Sequence, residues 1–220
     1  MKDIIKDIIY NAQCYGNVEP IEYMTPYSST QSLIEGQNIK EGERLLYSEN
    51  SITNFKFYEL VQKTAHWLER QGISYNDKIY LPNIGNVYNE ILLFGIWQLG
   101  GIVVIGENKI NATKYISEKI NLFDEIKCFP SIYQPKKKPI LSDIALIYNF
   151  TRSITLSHYN LLVNTSALQK KLDFKPGTKV YVDIPILGPD WVIFNAIFPI
   201  YSDIILTKNN PDITFSRKKI

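Results

Sequence analysis

Cysteine and histidine are scarce in this chain of 220 residues, which has two of each. The cysteines are Cys14 and Cys128, and the histidines are His66 and His158. This spacing matches neither the clustered ligands of a zinc site nor the dense cysteines of a disulfide framework. We therefore expect no metal site and two free thiols, which is typical of a protein in the reducing cytoplasm.

Long apolar runs are also missing. A helix that spans a membrane needs about 18 or more consecutive apolar residues. The longest apolar stretch, residues 91–105, is interrupted by three glycines and a glutamine. Residues 1–9 form a short amphipathic pattern that lacks the apolar centre of a signal peptide. We expect no membrane span and no secretion signal.

Charge of one sign is not in excess, because 24 Lys and Arg residues face 22 Asp and Glu residues. A basic surface is the usual signature of nucleic-acid binding, and the composition gives no basis for expecting it here. The lysine run 136–138 lies within a proline-flanked stretch and is interpreted as a solvated connector.

Hydrophobic periodicity indicates alternating strands and helices. The predicted strands are 44–47, 52–55, 78–81, 102–105, 126–129, 143–148, 180–184 and 204–207. The predicted helices are 58–71, 86–99, 112–122, 157–171 and 191–200, with a further short helix at the N-terminus. Such alternation implies an α/β fold, a layered and mostly parallel sheet with flanking helices.

The same pattern divides the chain into four segments. Residues 1–43 are predicted to be a helix and a loop that pack on the body of the protein. Residues 44–133 form a first α/β half, residues 134–142 a charged linker, and residues 143–220 a second α/β half.

Four stretches resemble, in order and spacing, the acyl-adenylating (AMP-binding, acyl-CoA synthetase and luciferase) superfamily. They are Phe57-Tyr58-Glu59-Leu60, the segment 72–83 that ends in Leu81-Pro82-Asn83, the segment 97–104, and the pair 143–148 and 156–161. The resemblance implies the fold of the N-terminal subdomain of acyl-CoA synthetases. It also implies descent from enzymes that activate carboxylic acids with ATP and Mg²⁺ and often pass them to coenzyme A.

The last pair flanks the family's phosphate-binding loop, but here the intervening segment is short. It contains Asn149, Thr151, Arg152, Ser153 and Thr155, with no glycine, proline or lysine. Phosphate loops need glycines so that backbone N–H groups can approach the anion. The favoured interpretation is a tight polar turn between a strand and a helix, and the alternative is a weakened anion site with Arg152 as the donor.

A second departure follows the strand at 180–184, where Gly188 replaces the histidine that the family carries after its proline. The resemblance places Gly188, Trp191, Phe194 and Asn195 at a candidate acyl pocket, although plain core packing of the aromatic residues is the favoured alternative. His158 has no acidic partner nearby in sequence and is expected to pack a helix against the sheet.

The resemblance further implies that the family's adenine-binding segment and C-terminal domain would follow residue 220. We therefore assign no catalytic residue and expect no productive binding of ATP, Mg²⁺ or coenzyme A by this chain. The leading hypothesis is a non-catalytic acyl-CoA synthetase-like protein that binds an acyl-type ligand or a partner. The alternative is one subunit of a split carboxylate-activating ligase, and in either case we expect a homodimer or a complex with another subunit.

Overall fold

The computed structural model describes residues 25–107 and 109–216. The helices are α1 (Thr30–Glu41), α2 (Asn54–Arg70), α3 (Tyr88–Gln98), α4 (Leu122–Ile126), α5 (His158–Leu172) and α6 (Phe198–Tyr201), the last preceded by a π-helix at Val192–Ile197. The strands are β1 (Leu45–Tyr47), β2 (Ile52–Thr53), β3 (Lys78–Tyr80), β4 (Ile102–Gly106), β5 (Lys114–Tyr115), β6 (Ile144–Asn149), β7 (Ser153–Ser157), β8 (Lys179–Asp183), β9 (Ile205–Leu206) and β10 (Ile213–Ser216).

The strands form two five-stranded sheets with mostly parallel pairing. The first sheet has the order β10-β8-β9-β1-β2, and the second has the order β5-β3-β4-β6-β7. Only the pairs β1–β2 and β6–β7 are antiparallel. This confirms the predicted layered, mostly parallel α/β architecture. Each sheet contains strands from before and after residues 134–142, so the predicted linker does not separate the two sheets. The predicted segment boundaries stay a prediction.

Helix α3 is the central element of the hydrophobic core. Residues 89–98 are all buried, as the nearly continuous apolar run in the sequence suggests. A Cβ atom added at Gly95 would lie 2.5 Å from Cγ2 of Thr64, so α3 packs very closely on α2. Trp97 donates an indole hydrogen bond of 2.8 Å to the carbonyl of Ala145, which joins α3 to the second sheet.

The prediction of a loop before residue 41 is wrong, because residues 30–41 form helix α1. Ser29 caps the helix, since Ser29 and Ser32 form a reciprocal capping box. Leu33 and Ile34 on this helix are buried. The short helix predicted at the N-terminus lies outside the described residues, as does Cys14, whereas Cys128 is an exposed free thiol.

The helix predicted at 112–122 and the strand predicted at 126–129 are also wrong. The first region contains β5, where Thr113 N bonds the carbonyl of Lys78 at 2.8 Å. Ile116 and Ile120, whose spacing suggested a helix, pack on the core as partly buried side chains. The residues assigned to the strand are instead the end of α4 and the turn that follows it.

The other predicted helices and strands are present with small shifts of their ends. Helix α2 begins four residues before its predicted start, because Thr53 caps it by accepting from Lys56 N. Ser157 is the N-cap of α5, as predicted. No helix within the two described ranges is both long and apolar enough to cross a membrane.

Candidate functional site

The segment predicted to be a degenerate phosphate loop is a β-hairpin. Strand β6 ends at Asn149 and β7 begins at Ser153, and these two residues face each other in the antiparallel ladder. The segment makes a turn that joins two strands, rather than the turn between a strand and a helix that the sequence suggested. The sequence alternates Ile154 and Leu156 with polar residues, which is the period of a half-buried strand. Pairing uses backbone groups of residues 153–157 that a phosphate loop would need to leave free.

The hairpin packs tightly on the end of β4. A Cβ atom built at Gly106 would lie 2.1 Å from the carbonyl oxygen of Asn149, so only glycine fits there. Asn149 is buried, donates its side-chain amide to the carbonyl of Ile110, and accepts a bond of 3.0 Å from the hydroxyl of Ser153. Asn149 and Ser153 thus hold the hairpin together, whereas Thr151, Arg152 and Thr155 are exposed.

An open cavity of about 290 Å³ lies beside the hairpin turn, and we call it the hairpin cavity. It is lined by Tyr148, Phe150, Thr151, Arg152, Ile154 and Pro189. The hydroxyl of Tyr148 is buried without a hydrogen-bond partner among the described residues. Burial raises the pKa of this phenol well above its ordinary value, and nearby Asp190 raises it further. The cavity therefore combines apolar walls with a phenol and a guanidinium.

The four residues proposed for an acyl pocket have different immediate neighbours in the structure, and the pocket itself stays a prediction. Trp191 is fully buried, and Phe194 packs against the ring of Phe215 with centroids 5.2 Å apart. Gly188 closes a turn by donating its N–H to the carbonyl of Pro185 at 2.9 Å. Asn195 lines a second cavity. The helix predicted at 191–200 is thus π-helical in its first part, an arrangement that often marks functional sites.

That second cavity has a volume of about 190 Å³ and lies between the start of α3 and the first sheet; we call it the Glu90 cavity. Its walls include the apolar side chains of Val87, Val180, Val182 and Leu206. Tyr47, Glu90 and Asn195 are polar or charged residues in its lining. Each of these three residues has a buried oxygen with no hydrogen-bond partner among the described residues.

Glu90 has an unusual electrostatic environment. The residue is 1% exposed, and burial raises the pKa of its carboxyl group to about 7, while backbone N–H groups and the indole of Trp191 oppose that rise. The indole N–H of Trp191 lies near this carboxyl but forms no hydrogen bond of good geometry with any residue in the described part of the chain. Burial also raises the pKa of Tyr47 well above its usual value, and the charge of Glu90 adds to that effect.

A second acidic residue, Glu49, lies at the rim of the same cavity in a different environment. It accepts hydrogen bonds from the backbone N–H of Lys208 and from the hydroxyl of Thr207, the latter at 3.1 Å. Partial burial raises the pKa of Glu49, but these hydrogen bonds outweigh that effect and lower it overall. The rim acid therefore has hydrogen-bond partners that favour its ionised form, whereas Oε2 of the buried acid has no hydrogen-bond partner among the described residues.

No family model matches the chain, and no curated protein matches it in sequence. Solved structures do match. A fatty acyl CoA synthetase from Mycobacterium tuberculosis has 12% sequence identity and a TM-score of 0.69, covering 85% of this chain and 44% of that chain. The N-terminal domain of FACL13 from the same organism has 13% identity and a TM-score of 0.69, covering 85% of this chain and 57% of that chain.

A fatty acyl-adenylate ligase from L. pneumophila has 15% identity and a TM-score of 0.63, covering 82% of this chain and 40% of that chain. The chain has the acyl-adenylating fold. It is similar in fold to part of the N-terminal domain of acyl-CoA synthetases, and it spans 44%, 57% and 40% of the lengths of these three structures.

Within the acyl-adenylating fold, His158 is a packing residue in this structure. It is 1% exposed, and its ring lies edge-on to that of Trp97 with centroids 6.0 Å apart. Burial lowers the pKa of His158 to about 4, although Asp143 opposes this shift. His66 is partly exposed, as expected, and its Nε2 lies 2.7 Å from the carbonyl of Ile132.

Sequence reasoning missed the Glu90 cavity. Glu90 is the only charged residue in the mostly apolar sequence of α3, and that contrast was the available signal. The family resemblance pointed to Asn195 for a different pocket, and Tyr47 carried no signal. Both residues line a cavity with Glu90 only because of the tertiary fold.

Proposed function

We propose that this chain is an acyl-CoA synthetase-like protein that does not adenylate carboxylic acids by itself and that binds an acyl-type ligand. The observation that carries the proposal is the hairpin at residues 149–153, which stands where the resemblance places the phosphate loop. Adenylation brings a carboxylate to a triphosphate, and both are anions. Their approach requires a dense set of donors that the folded site has already positioned.

The geometry of the hairpin supports the proposal that this donor set is missing. Its turn contains no glycine, and its strands use their backbone groups in pairing with each other. Asn149 and Ser153 use their side chains to hold the turn, which leaves Thr151, Arg152 and Thr155 as exposed side-chain donors. Three separated side chains do not form the concave set of backbone N–H groups that holds polyphosphate.

The hairpin cavity supports the choice of ligand. Phe150, Ile154 and Pro189 provide apolar surface for a hydrocarbon body. Arg152 forms no salt bridge with any residue in the described part of the chain, so its guanidinium is available to a carboxylate. The buried hydroxyl of Tyr148 is a further donor. One cation and one hydroxyl suit a single carboxylate much better than a triphosphate.

Two measurements on the purified chain test this function. Pyrophosphate release is followed with ATP, Mg²⁺ and a series of carboxylic acids, and no release is expected. Binding of medium-chain fatty acids is followed by calorimetry, and Arg152→Gln is expected to weaken it by about tenfold, the effect of one charge-assisted hydrogen bond. Lys138→Gln, on the connector, serves as the charge-matched control. Adenylate formation by the chain alone, or fatty-acid binding that is indifferent to Arg152, would contradict the proposal.

Partner binding is the second candidate, as a homodimer or as one subunit of a split ligase. It is favoured by exposed apolar side chains along the hairpin, since Ile144 is 40% and Ile154 is 52% exposed on β6 and the edge strand β7. Light scattering of the wild-type chain and of Ile154→Lys separates these alternatives. A dimer that Ile154→Lys dissociates supports a homodimer, whereas a monomer that gains pyrophosphate-releasing activity with a co-expressed second chain supports the split ligase.

A further inference from the structure

Three residues that line the Glu90 cavity each carry a buried oxygen atom without a hydrogen-bond partner among the described residues. Tyr47 Oη, Glu90 Oε2 and Asn195 Oδ1 are buried without a partner among the described residues. The three residues are 6%, 1% and 7% exposed, respectively. A buried polar atom left unpaired costs on the order of 1–3 kcal/mol, and native proteins rarely keep several side by side without a reason.

All three atoms can accept a hydrogen bond, and two of them can do nothing else when Glu90 is ionised. A ligand that satisfies them must therefore supply donors. A primary ammonium group has three N–H donors and a positive charge, which matches a carboxylate, an amide oxygen and a phenol oxygen. No salt bridge in the described part of the chain includes Glu90, so no protein cation already fills this role.

The remaining walls define the body of the ligand. Val87, Val180, Val182 and Leu206 present branched aliphatic surface to the cavity. The volume of about 190 Å³ corresponds to roughly six water-sized groups at ~30 Å³ each. A short branched alkyl chain fills this space, whereas a fatty acyl chain does not.

We propose that the Glu90 cavity is a binding site for a small primary amine with a short aliphatic body, with Glu90 as the counter-ion. The ammonium group bonds Glu90 and Asn195 at the closed end of the cavity, and the alkyl group lies against the valine side chains. The charges at the rim do not block entry, because Glu49 and Lys208 are of opposite sign and lie next to each other.

This inference goes beyond the proposed function and is independent of it. The hairpin cavity and the Glu90 cavity share no lining residue. Arg152 and Glu90 also have opposite charges, so the two sites select opposite ligand chemistry. Failure of fatty-acid binding at the hairpin cavity would leave the amine site unaffected, and the reverse also holds.

The test compares three ligands of the same shape and different charge on the complete chain. They are 3-methylbutylamine, 3-methylbutan-1-ol and 3-methylbutanoate, and binding is measured by calorimetry and by the rise in melting temperature. The amine is expected to bind and to raise the melting temperature by mass action, while the alcohol and the acid do not. Binding of the alcohol or the acid as tightly as the amine would overturn the proposal, and so would the absence of any amine effect.

Two variants locate the site. Glu90→Gln keeps the shape of the side chain and removes the charge, and it is expected to weaken amine binding by about tenfold or more. Asn195→Leu removes one acceptor and is expected to weaken binding severalfold. Glu59→Gln on the outer surface of α2 is the matched control and should leave affinity unchanged. Each variant is compared with its own ligand-free melting curve, and undiminished amine binding by a folded Glu90→Gln protein would refute the assignment.

Discussion

The Nδ1 atom of His158 lies 2.9 Å from the hydroxyl oxygen of Thr30, and this buried contact joins the first turns of α1 and α5. The two residues are separated by 128 positions in the sequence. Water cannot replace this hydrogen bond in the folded protein, since Thr30 is 0% and His158 is 1% exposed. The contact therefore links two helices on different parts of the chain through a histidine that is neutral when folded.

His158 should make the protein less stable in mild acid. Its pKa is about 4 when folded and about 6.5 when unfolded. Between pH 6.5 and pH 4, His158 is protonated in the unfolded chain but stays neutral in the folded chain. The free energy of unfolding therefore keeps its full value above pH 6.5 and decreases as the pH falls towards 4. The loss is about 3 kcal/mol, at 1.36 kcal/mol for each pKa unit. Urea denaturation across this range measures it as the difference between the wild type and His158→Gln.

His66→Gln is the matched control for that experiment. His66 is partly exposed, so this variant controls for the replacement of a histidine by glutamine as such. Identical curves for wild type and His158→Gln would show that His158 is not held neutral.

Glu90 should have the opposite effect on stability. The folded pKa of about 7 lies above the ordinary value of 4.5. Between these values the folded state keeps a proton that the unfolded state releases, so stability is greatest below pH 4.5 and declines as the pH rises to about 7. The decline is about 3 kcal/mol. Glu90→Gln should remove it and should exceed the wild type in stability at pH 8.

Because the two windows overlap between pH 4.5 and 6.5, the effects of Glu90 and His158 partly cancel in the wild type. Glu90→Gln is therefore expected to show a steeper loss of stability in acid than the wild type does. A Glu90→Gln protein with the wild-type pH profile would show that the buried carboxyl is not responsible.

Gly106→Ala should destabilise the protein by about 3 kcal/mol or more, because the new methyl group would overlap the backbone of Asn149, which cannot move without breaking the hairpin. Gly72→Ala provides the comparison. Gly72 also has a positive φ angle, of 76°, but a Cβ atom there would meet nothing within 4 Å. That variant should lower the free energy of unfolding by only ~1 kcal/mol, because backbone strain is its only cost. Equal losses, measured by chemical denaturation, would contradict the tight packing of β4 on the hairpin.

Asp203→Asn should cost about 2 kcal/mol. The Asp203 carboxylate lies 3.1 Å from Lys40 Nζ and 3.3 Å from Arg44 Nη1, and its side chain is only 9% exposed. Without the Asp203 carboxylate, the partly buried guanidinium of Arg44 loses its more deeply buried counter-ion. Asparagine tolerates the positive φ angle of 55° at this position, so the substitution adds little backbone strain.

The control for Asp203 is Asp124→Asn, which removes an ion pair of 3.6 Å to Lys127 between side chains that are 65% and 66% exposed. Such a pair contributes ~0–1 kcal/mol. A thermal or urea denaturation series in which both variants lose equally little stability would show that the Asp203 cluster is no more than a surface interaction.

The wrong predictions concern short segments whose local sequence is compatible with two different structures. Ser29 reads equally as a turn residue or as a helix cap, and only the burial of Leu33 and Ile34 decides for α1. Ile116 and Ile120 have helical spacing, yet pairing of Lys114 with Ile79 places the preceding residues at a sheet edge. Tertiary hydrogen bonds outweigh weak local preferences in both places.

The sequence by itself determined the alternation of strands and helices, the buried character of α3, and the lack of glycine between Tyr148 and Leu156, because each depends on residue type and spacing along one segment. The tertiary structure alone decided that this segment is a hairpin and that Glu90 lines one cavity together with Tyr47 and Asn195. These features arise from contacts between residues distant in sequence, which spacing along one segment does not specify.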